Sequence, residues 1–144
     1  FYPGYMFHLP QAFGTLDTVA DFAHIEKVYW AMKKVVNEKF PKARFIGHFS
    51  HWYEWGCMLY ARFIFEGKDV PQDPREAAAL YNAVWDAAIR AAIENGGVIN
   101  EHHGVGLKLG RYMKDLYKNS FPILEGIKNT LDPNHIMNPG KMGL

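Results

Sequence analysis

The chain has 144 residues, of which 49% are hydrophobic and 15% aromatic, enough for one domain with a real core and inconsistent with a disordered polypeptide. Sixteen basic and fifteen acidic residues leave a formal charge of +1, too weak a field to gather nucleic acid or an anionic membrane, so the expected partners are a small molecule or another protein surface. A single cysteine, Cys57, excludes an intrachain disulfide and any cysteine-rich zinc site, and permits a reducing, cytoplasmic compartment with peripheral membrane association left open.

Phe1-Tyr2-Pro3-Gly4-Tyr5 opens without an initiator methionine and reads as the start of a fragment; it does not resemble a signal peptide, and no apolar run is long enough to span a bilayer. Tyr5-Met6-Phe7-His8-Leu9, stopped by Pro10, is the first expected strand. Thr18 with Asp21 three residues on suggests a capped helix, which Leu16, Val19, Phe22, Ile25, Val28, Met32, Val35 and Val36 continue at helical spacing until Pro41. Two strands follow, 44–49 and 57–65. The second is apolar on both faces except for Arg62, which is either an anion-binding residue or an arginine whose head reaches solvent past an apolar stem. Asp73-Pro74-Arg75-Glu76 combines an N-cap, a proline at the first helical position and an acidic third residue. The helix it starts should end at Asn95-Gly96-Gly97, and 97–101 should form a last short strand. The order βαββαβ predicts an α+β fold of the ferredoxin-like type, an antiparallel sheet carrying two helices on one face. This domain should occupy 1–103, followed by a helical tail over 104–144 with helices at 109–118 and 120–131 and an ending suited to lie along another surface.

Chemistry concentrates in Ile99-Asn100-Glu101-His102-His103-Gly104-Val105-Gly106-Leu107-Lys108. There, side chains that exchange protons near neutral pH adjoin glycines that let a ligand approach the backbone. Ser50-His51-Trp52-Tyr53-Glu54-Trp55-Gly56, between the two middle strands, is the second such stretch. A structural histidine pair is the competing reading of the first.

These blocks, together with Leu131-Asp132-Pro133 through Met137-Asn138-Pro139-Gly140-Lys141, resemble in sequence order the C-terminal region of FAD-linked oxidases of the vanillyl-alcohol-oxidase superfamily. The resemblance implies a cap domain bearing substrate-side residues, then a tail returning to an upstream FAD-binding domain or subunit. That half would hold most of the FAD, since nothing in this chain reads as a phosphate-binding glycine loop. Without it the chain should be inert; a homodimer is also compatible. Two branches compete. D-lactate dehydrogenase and glycolate oxidase-type enzymes carry Glu-His where this chain has His102 and His103. Alkyldihydroxyacetonephosphate synthase has a histidine run there and a Tyr-acidic-x-Gly segment like Tyr53-Glu54-Trp55-Gly56, although Glu101 departs from that run.

In the hydroxy-acid reading, hydride passes from the substrate carbon to flavin N5 while a base takes the hydroxyl proton. His103 is the expected base, His102 orients it or binds substrate, and Tyr53 donates to a developing oxyanion or shares the proton. To act as a base, Tyr53 needs a positive neighbour, because its reference pKa is near 10. In the alkyl-transfer reading the same residues handle protons while a ketone-phosphate lipid reacts at the flavin, with no net redox change. Asn138, Gly104 and His103 are the expected cofactor contacts. His51, Arg62, Lys108 and Arg111 are the candidates to meet a substrate carboxylate or phosphate. No metal is expected: His48, His51, Glu101 and His102 are of suitable type but lack ligand spacing. A flavin-free ferredoxin-like binding module is the rival from another class, since this fold hosts many functions.

Overall fold

A computed structural model describes residues 11–144, and the strand expected at 5–9 lies outside them. The chain divides into two compact units, the first ending at Glu101 and the second comprising His102–Leu144.

In the first unit, strands β1 (Gln11–Asp21), β2 (Arg44–Trp52), β3 (Gly56–Glu66) and β4 (Val98–Ile99) form one sheet of order β2-β3-β1-β4. Every pairing is antiparallel. Helix α1 (Ile25–Lys39) joins β1 to β2, and helix α2 (Pro74–Glu94) joins β3 to β4. This is the ferredoxin-like arrangement predicted from the element order.

The helix expected from Thr18 is corrected. Thr18 lies in β1, paired with Leu59 on one side and Ile99 on the other, and helix α1 begins only at Ile25. Leu16 and Val19, three apart, suit one face of a helix, whereas in the strand they point to opposite faces of the sheet. Pairing along eleven residues with β3 outweighs that local pattern. Asp21 still organises the helix start, because its Oδ1 accepts from the backbone N of His24 at 2.9 Å.

Helix α2 follows its sequence signals closely. Asp73 caps it by accepting from Arg75 N at 2.7 Å, and Gly96 turns out of it at φ +91°. Both helices cover one face of the sheet. Tyr29 of α1 packs on Phe45 and Phe49 at 5.6 and 5.7 Å, and Trp85 of α2 meets Phe63 at 6.2 Å. Leu16, Val28, Met32, Val36, Leu59 and Ile89 are at most 1% exposed, each such burial stabilising by roughly 1.5–3 kcal/mol. Side chains alternate across a strand, so the other face carries Asp17, Tyr60 and His48 in one cross-strand row, with Arg62 in the next.

In the second unit the single helix expected over 109–118 is two short ones, α3 (Gly106–Gly110) and α4 (Met113–Tyr117), before α5 (Phe121–Leu131). The ending doubles back on its own unit. A Cβ added at Gly110 would stand 2.8 Å from Gly143 N, so the two backbones touch where only glycine fits. Helix α5 nevertheless turns Ile123, Ile127 and Leu131 outward at four-residue spacing, each more than half exposed. Among the described residues, no helix is long and apolar enough to cross a membrane.

Gly110 and Gly126 of this unit predict opposite signs. Gly110→Ala should destabilise by about 1–3 kcal/mol through overpacking against backbone. Gly126→Ala, inside α5 with nothing within 4 Å of its new methyl, should stabilise by about 0.5–1 kcal/mol. Urea unfolding midpoints of the two variants provide the check.

Candidate active site

The first unit brings two of the singled-out side chains, His51 and Tyr53, to the carboxylate of a third, Glu101. Pairing between β2 and β3 shifts register between Ser50 and Trp52, leaving His51 as an extra residue at φ +47°. Such a bulge re-aims a side chain, and His51 Nδ1 lies 3.0 Å from Glu101 Oε2. The Tyr53 hydroxyl donates to the other oxygen, Oε1. The Tyr53 ring stacks on Trp55 at 5.3 Å and 5°. The connection is pinned to the β1–α1 turn by a hydrogen bond from Phe22 N to Trp55 O at 3.1 Å. Glu101 itself is held from behind: Asp17, only 2% exposed, accepts from Asn100 N through its backbone oxygen at 2.7 Å and from Glu101 N through its carboxylate.

This geometry bears on the protonation of Tyr53. Tyr53 needs a positive neighbour to serve as a base, and its neighbour is negative. The hydrogen bond to Glu101, withdrawal from water and the carboxylate charge together raise the Tyr53 pKa above the ordinary phenol value. Tyr53 therefore keeps its proton. Arg62 stays on the strand face with its guanidinium over the Tyr60 ring at 5.5 Å. His48 is exposed on β2 opposite Tyr60. Asp17 and the bridging role of Glu101 escape the sequence reading. An aspartate inside a strand, where that residue type is uncommon, is the signal that points to Asp17.

In the second unit the rings of His102 and His103 lie 4.0 Å apart at 45°. Gly104 and Gly106 turn at φ +86° and +53°, with open space where a Cβ would stand. Lys108 and Arg111 are close enough that withdrawal from water and the arginine charge bring the lysine pKa down to about 8. Arg111 also stacks over Tyr112 at 4.8 Å. Asn138, at φ +48°, lines a largely apolar groove of about 410 Å³ with Leu124, Ile127 and Leu131. Asp132, 3% exposed, fixes the preceding loop by accepting from Ile136 N and Met137 N at 3.0 Å each and from the Lys128 ammonium.

Comparison with known proteins places this geometry. Residues 10–142 match the family model described as FAD linked oxidases, C-terminal domain. The chain belongs to that family. It is 31% identical over 121 residues to the uncharacterized FAD-linked oxidoreductase YgcU of Escherichia coli K12, covering 81% of this chain and 25% of that protein. It is 40% identical over 127 residues to a mitochondrial D-lactate dehydrogenase (cytochrome) of Arabidopsis thaliana, covering 88% of this chain and 21% of that one. A solved structure of alkyldihydroxyacetonephosphate synthase shares its fold with TM-score 0.56 at 19% identity, over 90% of this chain and 20% of that one. The chain thus spans a quarter or less of these relatives. Family membership makes it part of the FAD-linked oxidoreductase group and implies an FAD-binding partner region.

Two predictions follow from the second unit. Lys108 should react with an amine-acylating reagent with half-maximal rate near pH 8, well below an ordinary lysine near 10.4, as read by peptide mass spectrometry. The Asp132 carboxyl is held below its usual range chiefly by Lys128. Its stabilisation is complete above about pH 4 and is lost as pH falls through the lowered folded value. Unfolding midpoints taken between neutral and strongly acidic pH should show that loss in the unmodified chain and a shallower one in Asp132→Asn.

Proposed function

We propose that this chain is the substrate-side region of an FAD-dependent oxidoreductase acting on a 2-hydroxy acid or a similar alcohol. One observation carries the reading: Tyr53 and His51, from the β2–β3 connection, converge on Glu101, the residue that leads into the His102-His103 pair. Two stretches about fifty residues apart are thereby tied through one carboxylate, and each carries groups of the kind that acid–base work on a substrate hydroxyl uses.

The residues fit the ring side of a flavin better than its phosphate side. Open space at Gly104 and Gly106 lets a planar ring approach the backbone, whereas the sequence has no glycine-rich phosphate loop. FAD, when bound, supplies the hydride acceptor. His103 takes the substrate hydroxyl proton and His102 orients it. Tyr53, protonated and tied to Glu101, holds its oxygen in a fixed direction. Asn138 and Gly104 would contact the ring. His51, Arg62, Lys108 and Arg111 supply cationic or donor groups for a substrate carboxylate.

A second reading, flavin-dependent alkyl transfer, draws support from the Tyr53-Glu54-Trp55-Gly56 segment and from sequence similarity to alkyldihydroxyacetonephosphate synthases. These include the Trypanosoma brucei enzyme, 30% identical over 66% of this chain. The same residues would then manage protons around a phosphate-bearing substrate, with Lys108 and Arg111 on its anion.

The test uses the full-length protein loaded with FAD and kept anaerobic. D-lactate or D-2-hydroxyglutarate should bleach the flavin, and His103→Gln should slow bleaching about 10²–10⁴-fold, the usual contribution of a general base, with bound FAD unchanged. Turnover of a ketone-phosphate lipid without bleaching would transfer the assignment to alkyl transfer.

A further inference from the structure

We propose that Glu101 is a positioning residue of this site, which sets Tyr53 and His51 in fixed register through the two oxygens of one carboxylate. The inference rests on the oxidoreductase reading for its purpose, but its geometry is independent of it. Glu101 is the inner member of the cluster, its side chain 16% exposed against 47% for His51. A carboxylate withdrawn this far from water has to be hydrogen-bonded, and each of its oxygens has a donor. Its backbone is fixed as well, because Asp17 holds both Asn100 N and Glu101 N. The carboxylate therefore starts from a defined point and spans two side chains of the opposite loop.

This arrangement dictates where protons sit. Tyr53 has one O–H and spends it on Glu101, so its oxygen meets a substrate as an acceptor. His51 turns Nδ1 toward Glu101, so a hydrogen on that atom is donated to the carboxylate. The charged and titratable groups in contact with Glu101 are Asp17 from β1 and His51 and Tyr53 from the β2–β3 connection, and His102 follows it in the chain. Among them, Glu101 is the group hydrogen-bonded to both Tyr53 and His51. An aspartate here would be one methylene too short to reach both, and a glutamine would keep the shape while losing the charge.

The experiment follows the ionisation of Tyr53 by the tyrosinate absorbance of the full chain, with Tyr53→Phe subtracted to isolate its signal. In the unmodified chain Tyr53 should ionise above the ordinary phenol value of about 10, and in Glu101→Gln the transition should move down toward it. An unchanged transition overturns the proposal. Nitrogen NMR of the unmodified chain, with His51→Gln to assign the ring, should find the His51 hydrogen on Nδ1, a readout that stands even if Glu101→Gln fails to fold; a hydrogen on Nε2 alone overturns it. In the FAD-loaded full-length protein, Glu101→Gln should slow bleaching by D-lactate at least tenfold with little change in KM, and should displace the pH profile. Bleaching by D-lactate that is the same in Glu101→Gln removes the positioning role and leaves the oxidoreductase reading standing. A shifted Tyr53 titration in a protein that no hydroxy acid bleaches leaves the register intact and removes the oxidoreductase reading.

Discussion

Asp17 sits in the middle of the central strand, almost wholly buried, and both its main-chain oxygen and its carboxylate are taken by the peptide N–H groups of Asn100 and Glu101. Strand β4 pairs with β1 through only two residues, Val98 and Ile99, too few to aim the loop that follows. A hydrogen bond from a peptide N–H to a charged acceptor is worth roughly 1.5–3 kcal/mol. That single side chain therefore contributes about as much to the placement of Glu101 as the short strand itself. What Glu101 can reach, and hence where Tyr53 and His51 come to rest, depends on it.

The cluster is built from the β2–β3 connection and the residue after β4, all carried by one sheet. Helices α1 and α2 pack one face, and the other carries buried Met58 and Ile64 together with Asp17, Tyr60 and His48 in a row and Arg62 beside them. The bulge at His51 and the stacked Tyr53–Trp55 pair convert an ordinary hairpin connection into a stiff arm. Stiffness matters because acid–base groups lose effectiveness when they must be ordered at the moment of reaction. The second unit, with its histidine pair, its dibasic turn and the Asp132-pinned loop before Asn138, brings groups of the kinds needed for proton transfer and anion recognition.

Features legible in the sequence were those whose cause is local. Asp73-Pro74 and Asn95-Gly96 mark the ends of α2 because capping is settled within a few residues, and α5 stops at Asp132-Pro133 for the same reason. The element order led to the ferredoxin-like sheet even though its first strand runs over Gln11–Asp21, where a helix pattern had been read. That error is physical: a strand with partners on both edges is stabilised by residues thirty-five or more positions away, which no window on Leu16 to Val36 can contain. The Tyr53–Glu101 bond spans 48 positions and was invisible for the same reason. Glu101 therefore looked like a departure from a histidine run, where the structure gives it two partners. The close approach of Gly110 to Gly143 was hidden too, because one glycine in a short helix looks no different from another until the chain returns to it.

Three residues of the loop region after β4, Asn100, Gly104 and Gly106, adopt left-handed backbone conformations at φ +72°, +86° and +53°. Glycine enters that region without strain and asparagine does so more readily than most. The path of the loop is thus written into its hinges rather than into the residues between them. Such a segment can accept other side chains at 101 to 103 while the main chain keeps its course. That freedom accords with relatives of this chain that are named as a dehydrogenase and as a synthase.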